Sequence, residues 1–215
     1  MVGGWFQLTF MKTEVIHAEH PIALNHAVDI LKHGGLVAFP TDTVYGLASL
    51  PFQGEYVERL YVAKGRNSER AIALLLGDHK QLEQVARDIG ETAKLWARKF
   101  WPGPLTLIVP RLESLPDVLS PTSSIGVRVP DHPVALALLN MVGPLAVTSA
   151  NLSGYENTNT SQDVFDQLNG RIHLILDGGR TPGGVPSTVV DCTVEDPIVL
   201  REGPITLDDL MRVLS

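Results

Sequence analysis

The 215-residue chain reads as a single α/β domain built on a mixed, twisted β-sheet flanked by helices, and three observations predict this class. Apolar runs of strand length alternate with segments of helical period. No Pro/Ser-rich linker or internal repeat breaks the alternation. Hydrophobic residues make up 44% of the chain and charged residues 19%, a composition that supports a sizeable core.

Taken in order, the apolar spacing Ala23, Ala27, Ile30, Leu31 lies on one helical face after Pro21, and Gly34-Gly35 ends that helix before a strand over 36–39. A helix over 55–64 ends on a cation, and a polar turn leads to a buried strand over 71–76. The stretch 79–100 reads as helical, WPGP at 101–104 as a stiff turn, and 105–109 as a strand. The second half predicts a strand over 125–129, a helix over 133–141, a strand over 145–148 and a helix near 161–169. Strands over 173–176, 187–191 and 198–200 follow, and a last helix starts at Leu207.

Composition also excludes several classes. A net charge of −7 argues against a surface that adheres broadly to nucleic acid or anionic membrane, while leaving room for a local basic pocket and weak RNA binding. The single cysteine, Cys192, cannot form an internal disulfide and has no metal-ligand spacing around it, which points to a reducing cytoplasm and a small core residue. The apolar run 5–11 is too short to span a membrane and lacks a preceding cation, so no membrane association or secretion signal is expected. Residues 1–10 read as an N-terminal extension to a domain over 11–215. The Gly-rich phosphate loop ending in Gly-Lys-Ser/Thr is missing, as is any Ser-His-Asp or metal-ligand pattern, so neither a covalent nucleophile nor a protein-held metal is expected.

Polar residues instead gather where strands end: PTDT at 40–43, KGRNSER at 64–70, TSAN at 148–151 and PST at 186–188. In an open α/β sheet these ends are where ligands bind. Hydroxyls, an amide and cations suit phosphates and a carboxylate better than a divalent metal. Each motif alone has a plainer account. Thr41 and Thr43 can satisfy a turn, with Asp42 as a cap. Lys64, Arg66, Ser68 and Arg70 can be a solvated helix end. Ser149, Asn151 and Ser153 can cap a helix. Arg128, in the apolar strand IGVRV, can clamp a carboxylate or face solvent.

Together, PTDTVYGLA, KGR, FWPGPLTLIVP, GVRVPDHP, TSANLSG, LDGG, STVVD and LREG stand in the order seen in the YrdC family of threonylcarbamoyl-AMP synthases, which the chain resembles over about 20–205. The resemblance implies a central basic cavity that binds ATP and L-threonine. It implies a reaction of threonine, bicarbonate or carbon dioxide, and ATP, giving threonylcarbamoyl-adenylate and pyrophosphate. A separate tRNA threonylcarbamoyl transferase complex would use that product to modify adenosine in tRNA. On the same resemblance, Thr41, Arg128, Ser149 and Ser187 correspond to threonine-side positions. Lys64, Ser68, Ser124, Asn151 and Arg201 correspond to nucleotide-side positions, with Lys64 and Arg66 serving catalysis. Magnesium would arrive on the ATP phosphates. The chain departs from the pattern at Asn67 and Ala71, where relatives carry proline, and at Pro186, where they carry glutamate. Its ending after LREG suggests the short, single-domain form. Two other readings stay open: carbamoyl-adenylate chemistry, and an RNA-binding module without turnover.

Overall fold

The computed structural model describes residues 12–65, 71–182 and 184–214. Among them ten strands form one mixed sheet. In chain order they are β1 (Glu14–His17), β2 (Val37–Phe39), β3 (Gly46–Ser49), β4 (Ala73–Leu75) and β5 (Leu105–Pro110), then β6 (Ser124–Arg128), β7 (Leu145–Ser149), β8 (Leu174–Asp177), β9 (Thr188–Asp191) and β10 (Ile198–Arg201). Their order across the sheet is β1-β8-β2-β3-β7-β4-β6-β5-β9-β10. Parallel pairs (β1 with β8, β8 with β2, β4 with β6, β5 with β9) mix with antiparallel ones. The helices are α1 (Ala23–Lys32), α2 (Gly54–Lys64), α3 (Glu91–Phe100), α4 (Pro133–Val142), α5 (Ser161–Leu168) and α6 (Leu207–Met211).

Strand side chains alternate between the two faces, and the core divides accordingly. On one face Leu47, Leu74, Leu107, Val127 and Ile175 pack under residues of α2, α3, α5 and α6, including Leu60, Trp96, Leu168 and Leu210. On the other face Val37, Phe39, Ala48, Leu75, Val147 and Leu174 pack under α1 and α4 alone. These two helices lie mainly over β8 and β2 and reach Ala48, Leu75 and Val147 at their edge. Beyond that edge, over Gly46, Ala73 and Gly126 and toward β5 and β9, a cavity opens.

Local chemistry accounts for the element ends. Gly34 turns left-handed (φ 78) after α1, and the Gly35 N–H returns to the Ile30 carbonyl at 2.8 Å. A Cβ on Gly34 would lie 2.4 Å from the Tyr56 ring, so this position needs glycine twice over. Capping boxes start α5 (Thr160 with Asp163) and α6 (Thr206 with Asp209). Pro133 opens α4, where Nδ1 of His132 accepts the Val134 N–H at 3.3 Å.

Three expectations need correction. Strands β1 and β3 were not foreseen. β1 is a largely exposed edge, and β3, Gly-Leu-Ala-Ser, lacks the branched and aromatic residues that favour strands. Residues 40–45 therefore form the loop of a hairpin, with Phe39 paired to Gly46. The stretch 79–100 divides into a 3-10 turn, His79–Gln84, and α3, because Asp88 adopts positive φ and Ala86 bridges to Arg111. On α1 the buried face runs through Ala23, Ala27, Val28 and Leu31, with Ile30 at its margin.

Two half-buried histidines give the fold a pH dependence. Besides His132, Nδ1 of His173 accepts the Leu36 N–H at 3.0 Å, so both rings must keep that nitrogen unprotonated. Burial holds both below the ordinary value of 6.5, Arg59 adding to the effect at His173 and Asp42 with Asp131 opposing it at His132. The unfolded chain then binds more protons than the fold as pH drops through 6.5. Their stabilisation is complete above that value and lost below it. Urea unfolding at pH 7.5 and 5.5 is expected to show lower stability at 5.5. His132→Asn, which keeps a capping acceptor, should reduce the difference.

Candidate active site

A cavity of about 360 Å³ occupies the uncovered part of the sheet. Its floor is made of small residues on the central strands: Gly46 of β3, Ala73 of β4 and Gly126 of β6, with Val147, Leu75 and Ile108 around them. An ideal Cβ on Gly46 would come within 2.8 Å of Val147, and one on Gly126 within 3.1 Å of Thr106. The floor is low because side chains are missing from it. The walls bring together Thr41, Arg128, Ser149, Ser187 and Arg201 from five separate segments. The lining contains two guanidiniums and no carboxylate among the described residues.

Arg128 ends β6 and is 5% exposed. Its Nε–H donates to the Gly103 carbonyl at 2.9 Å, one terminal nitrogen to the Thr43 hydroxyl at 3.1 Å and the other to Asp42 Oδ1 at 2.5 Å. Three of its five N–H groups are thereby occupied, and the other two have no partner among the described residues. Burial pulls its pKa below the ordinary arginine value, nearby Arg201 adds to this, and the Asp42 carboxylate opposes it. The Thr41 hydroxyl donates to the Val44 carbonyl at 2.7 Å and accepts the Thr43 N–H at 3.2 Å. These bonds turn the loop after β2 and carry Thr43 and Asp42 to the guanidinium.

The far wall is tied differently. Arg201 of β10 donates to the Ser187 carbonyl through Nε–H at 3.0 Å and a terminal nitrogen at 2.8 Å. The Ser187 hydroxyl lies 2.8 Å from that of Thr106. Gly203 permits this closure, since a Cβ there would meet the Thr188 nitrogen at 2.4 Å and the Pro186 oxygen at 2.6 Å. Tyr45 lines the cavity and fixes the LDGG turn, its hydroxyl donating to the Gly179 carbonyl at 2.7 Å. Burial pushes that phenol up to about 12. Burial and neighbouring Asp191 likewise push the half-buried Cys192 thiol up to about 12, consistent with a packing role.

Lys64, Asn151 and Ser124 stand off the cavity wall. Lys64 is 4% exposed, and its ammonium donates to the Ser149 carbonyl, to the Asn151 carbonyl at 2.6 Å and to Asn151 Oδ1 at 3.1 Å. Asn151 Oδ1 also accepts the Ser149 hydroxyl at 2.6 Å, while its amide donates to the Leu152 and Tyr155 carbonyls. Lysine and asparagine thus shape the turn that presents Ser149. Ser124 shares a face of β6 with Gly126 and Arg128 by strand alternation, but sits at the outer end, bonded to Thr122 at 2.9 Å. Arg66 and Ser68 lie outside the described residues.

Thr106, Asn157 and the partnership of Asp42 with Arg128 escaped sequence reading. A threonine inside the apolar run LTLIV was a signal for Thr106; the ENTN segment around Asn157 offered none. Ala71 and Pro186, two departures from the family pattern, both line the cavity.

Fold and site define an open-sheet α/β protein whose cavity, lined by hydroxyls and guanidiniums, lies on one sheet face. The Sua5/YciO/YrdC family model, described as telomere recombination, matches residues 29–203. The chain belongs to that family. It is 39% identical over 191 residues to the threonylcarbamoyl-AMP synthase of Pyrococcus abyssi and 42% identical over 195 residues to that of Bacillus subtilis. Each match covers 88% of this chain and 56% of the relative, so the chain spans little more than half the length of either. The crystal structure of P. abyssi Sua5 complexed with L-threonine superposes with a TM-score of 0.89 at 36% identity, covering 96% of this chain and 61% of that one.

Replacing Lys64 by methionine would keep the aliphatic stem and take its donor from the Ser149 and Asn151 carbonyls, while Asn151 Oδ1 keeps the Ser149 hydroxyl. Leaving such groups buried and unpaired costs about 3 kcal/mol or more. Urea denaturation should show a loss of that size.

Proposed function

We propose that the protein is an L-threonylcarbamoyladenylate synthase, converting L-threonine, bicarbonate or carbon dioxide, and ATP to threonylcarbamoyl-AMP and pyrophosphate. The observation that carries this reading is the buried Arg128, with two N–H groups unpartnered among the described residues in a cavity whose other polar groups are mainly hydroxyls. Such a site suits a hydroxy amino acid: the guanidinium takes the carboxylate, and Thr41, Ser149 and Ser187 surround the rest. Kinship with the threonine-complexed Sua5 supports the assignment.

The chemistry asks for positioning. The threonine amine attacks the carbon of carbon dioxide and loses a proton, giving a carbamate. A carbamate oxygen then attacks the α-phosphorus of ATP, and pyrophosphate leaves. No enzyme nucleophile is needed; alignment and charge stabilisation carry the rate. Arg201 supplies positive charge for the phosphates, with Arg66 and Ser68 as its proposed companions. Asn151 and Lys64 act by holding the turn at Ser149, and Ser124 flanks the nucleotide from the outer end of β6. Magnesium enters on the ATP phosphates with its waters. Among the described residues no cluster of three or more histidine, cysteine or acidic side chains is arranged to hold an ion, so no step is assigned to a protein-bound metal.

The product would pass to a transferase that modifies adenosine in tRNA, in the cytoplasm. No described helix is long and apolar enough to cross a membrane.

Purified protein should release pyrophosphate from ATP only when threonine and bicarbonate are both present, and mass spectrometry should identify threonylcarbamoyl-AMP. Absence of that release from folded protein would overturn the assignment. Arg128→Ala should raise the threonine KM about 100-fold, the size of losing two charge-assisted hydrogen bonds, with little change in ATP affinity. An equal loss of both would remove Arg128 from its role as carboxylate clamp.

A further inference from the structure

The cavity holds two guanidiniums, and among the described residues only one has a counter-ion. Arg128 pairs with Asp42 at 2.5 Å, both side chains being largely buried. Arg201 bonds only to the carbonyl and hydroxyl of Ser187 and has no carboxylate partner among the described residues. Among the described residues Asp42 makes its one salt bridge with Arg128, with His132 also within its electrostatic reach. The lining is therefore electrically asymmetric, with a neutralised end at Arg128 and an uncompensated end at Arg201.

This asymmetry addresses a problem set by the proposed reaction. A polyphosphate and an amino-acid carboxylate enter one cavity, and a bare buried guanidinium attracts a multiply charged phosphate more strongly than a single carboxylate. Neutralising Arg128 lowers that attraction while leaving its two remaining N–H groups to form a directional fork. Hydrogen-bond geometry then selects the carboxylate, and net charge at Arg201 selects the phosphates.

We propose that Asp42 is the positioning and specificity-determining residue that keeps phosphate off Arg128 and reserves that guanidinium for a carboxylate. The proposal rests on the synthase reading for the identity of the carboxylate, but not for the exclusion of phosphate. Asp42 acts through Arg128 in two ways: its charge offsets the guanidinium, and its Oδ1 orients one terminal nitrogen while Thr43 orients the other.

The test is calorimetric titration of inorganic phosphate and of L-threonine into wild type, Asp42→Asn and Asp42→Glu. Asp42→Asn is expected to bind phosphate at least tenfold more tightly than wild type, and phosphate should then compete with threonine. Asp42→Glu, which keeps the charge, should restore phosphate exclusion. In steady-state assays the Asn variant should show a raised apparent threonine KM in phosphate buffer with kcat preserved. Phosphate affinity within twofold of wild type, or equal behaviour of the Asn and Glu variants, would overturn the proposal. Asp42→Ser replaces the Asn variant should the latter not fold; failure of both to fold would make the pair a purely structural one and equally overturn it. Lack of threonine binding by wild type would refute the synthase reading, while the phosphate titrations would still decide the role of Asp42.

Discussion

Side chains on a β-strand point alternately to opposite sides, so a sheet has two surfaces to bury. Here the helices are shared unequally between them. Four helices contribute to the core on one face; on the other, α1 and α4 are the two that do, and they lie mainly over β8 and β2, reaching Ala48, Leu75 and Val147 at their edge. The strands left uncovered would expose a broad apolar surface if they carried the usual leucines and valines. At the centre of the floor they carry Gly46, Ala73 and Gly126, with Leu75, Ile108 and Val147 around them and threonines, serines and arginines on the walls. The site is the hollow created by withholding both a helix and the side chains that would have met it.

Placing cations around such a hollow carries a desolvation cost, and the fold meets it in two ways. Arg128 is matched by a carboxylate, a carbonyl and a hydroxyl. Lys64 donates to three oxygens of a single turn, the Ser149 and Asn151 carbonyls and Asn151 Oδ1. A buried ion pair adds little to net stability, because attraction and desolvation nearly cancel, but it fixes geometry. An ammonium held by two backbone carbonyls and an amide oxygen does the same for the chain around it. Both cations organise the loops that end strands: Arg128 gathers the turn after β2, and Lys64 gathers the turn after β7.

Sequence reading recovered the α/β class and most helices because apolar periodicity is a local property. It missed β3 because Gly-Leu-Ala-Ser owes its strand conformation to Val37–Phe39 on one side and β7 on the other, a purely tertiary cause. For the site, Thr41, Arg128, Ser149, Ser187 and Arg201 were legible as polar groups at strand ends or through family motifs. What no motif stated was the difference between facing the cavity and building it. Lys64 and Asn151 sit in the motifs with the same prominence as Ser149, yet they point into the protein. Asp42 looked like a turn cap, since its partner is 86 residues away in sequence.

The closure at Gly203, where β10 returns against Ser187, has a consequence for how the protein comes into being. One wall of the hollow comes from the loop after β2 and the opposite wall from Arg201, near the end of the described chain. Contacts this remote in sequence carry a high loop-closure cost and slow folding. A chain synthesised only through Ser149 would possess Thr41, Arg128 and the hydroxyls beside them, but face open water where the second guanidinium belongs. The hollow is therefore complete only once the last two strands are in place, and a ligand that spanned both walls would staple the two ends of the fold together.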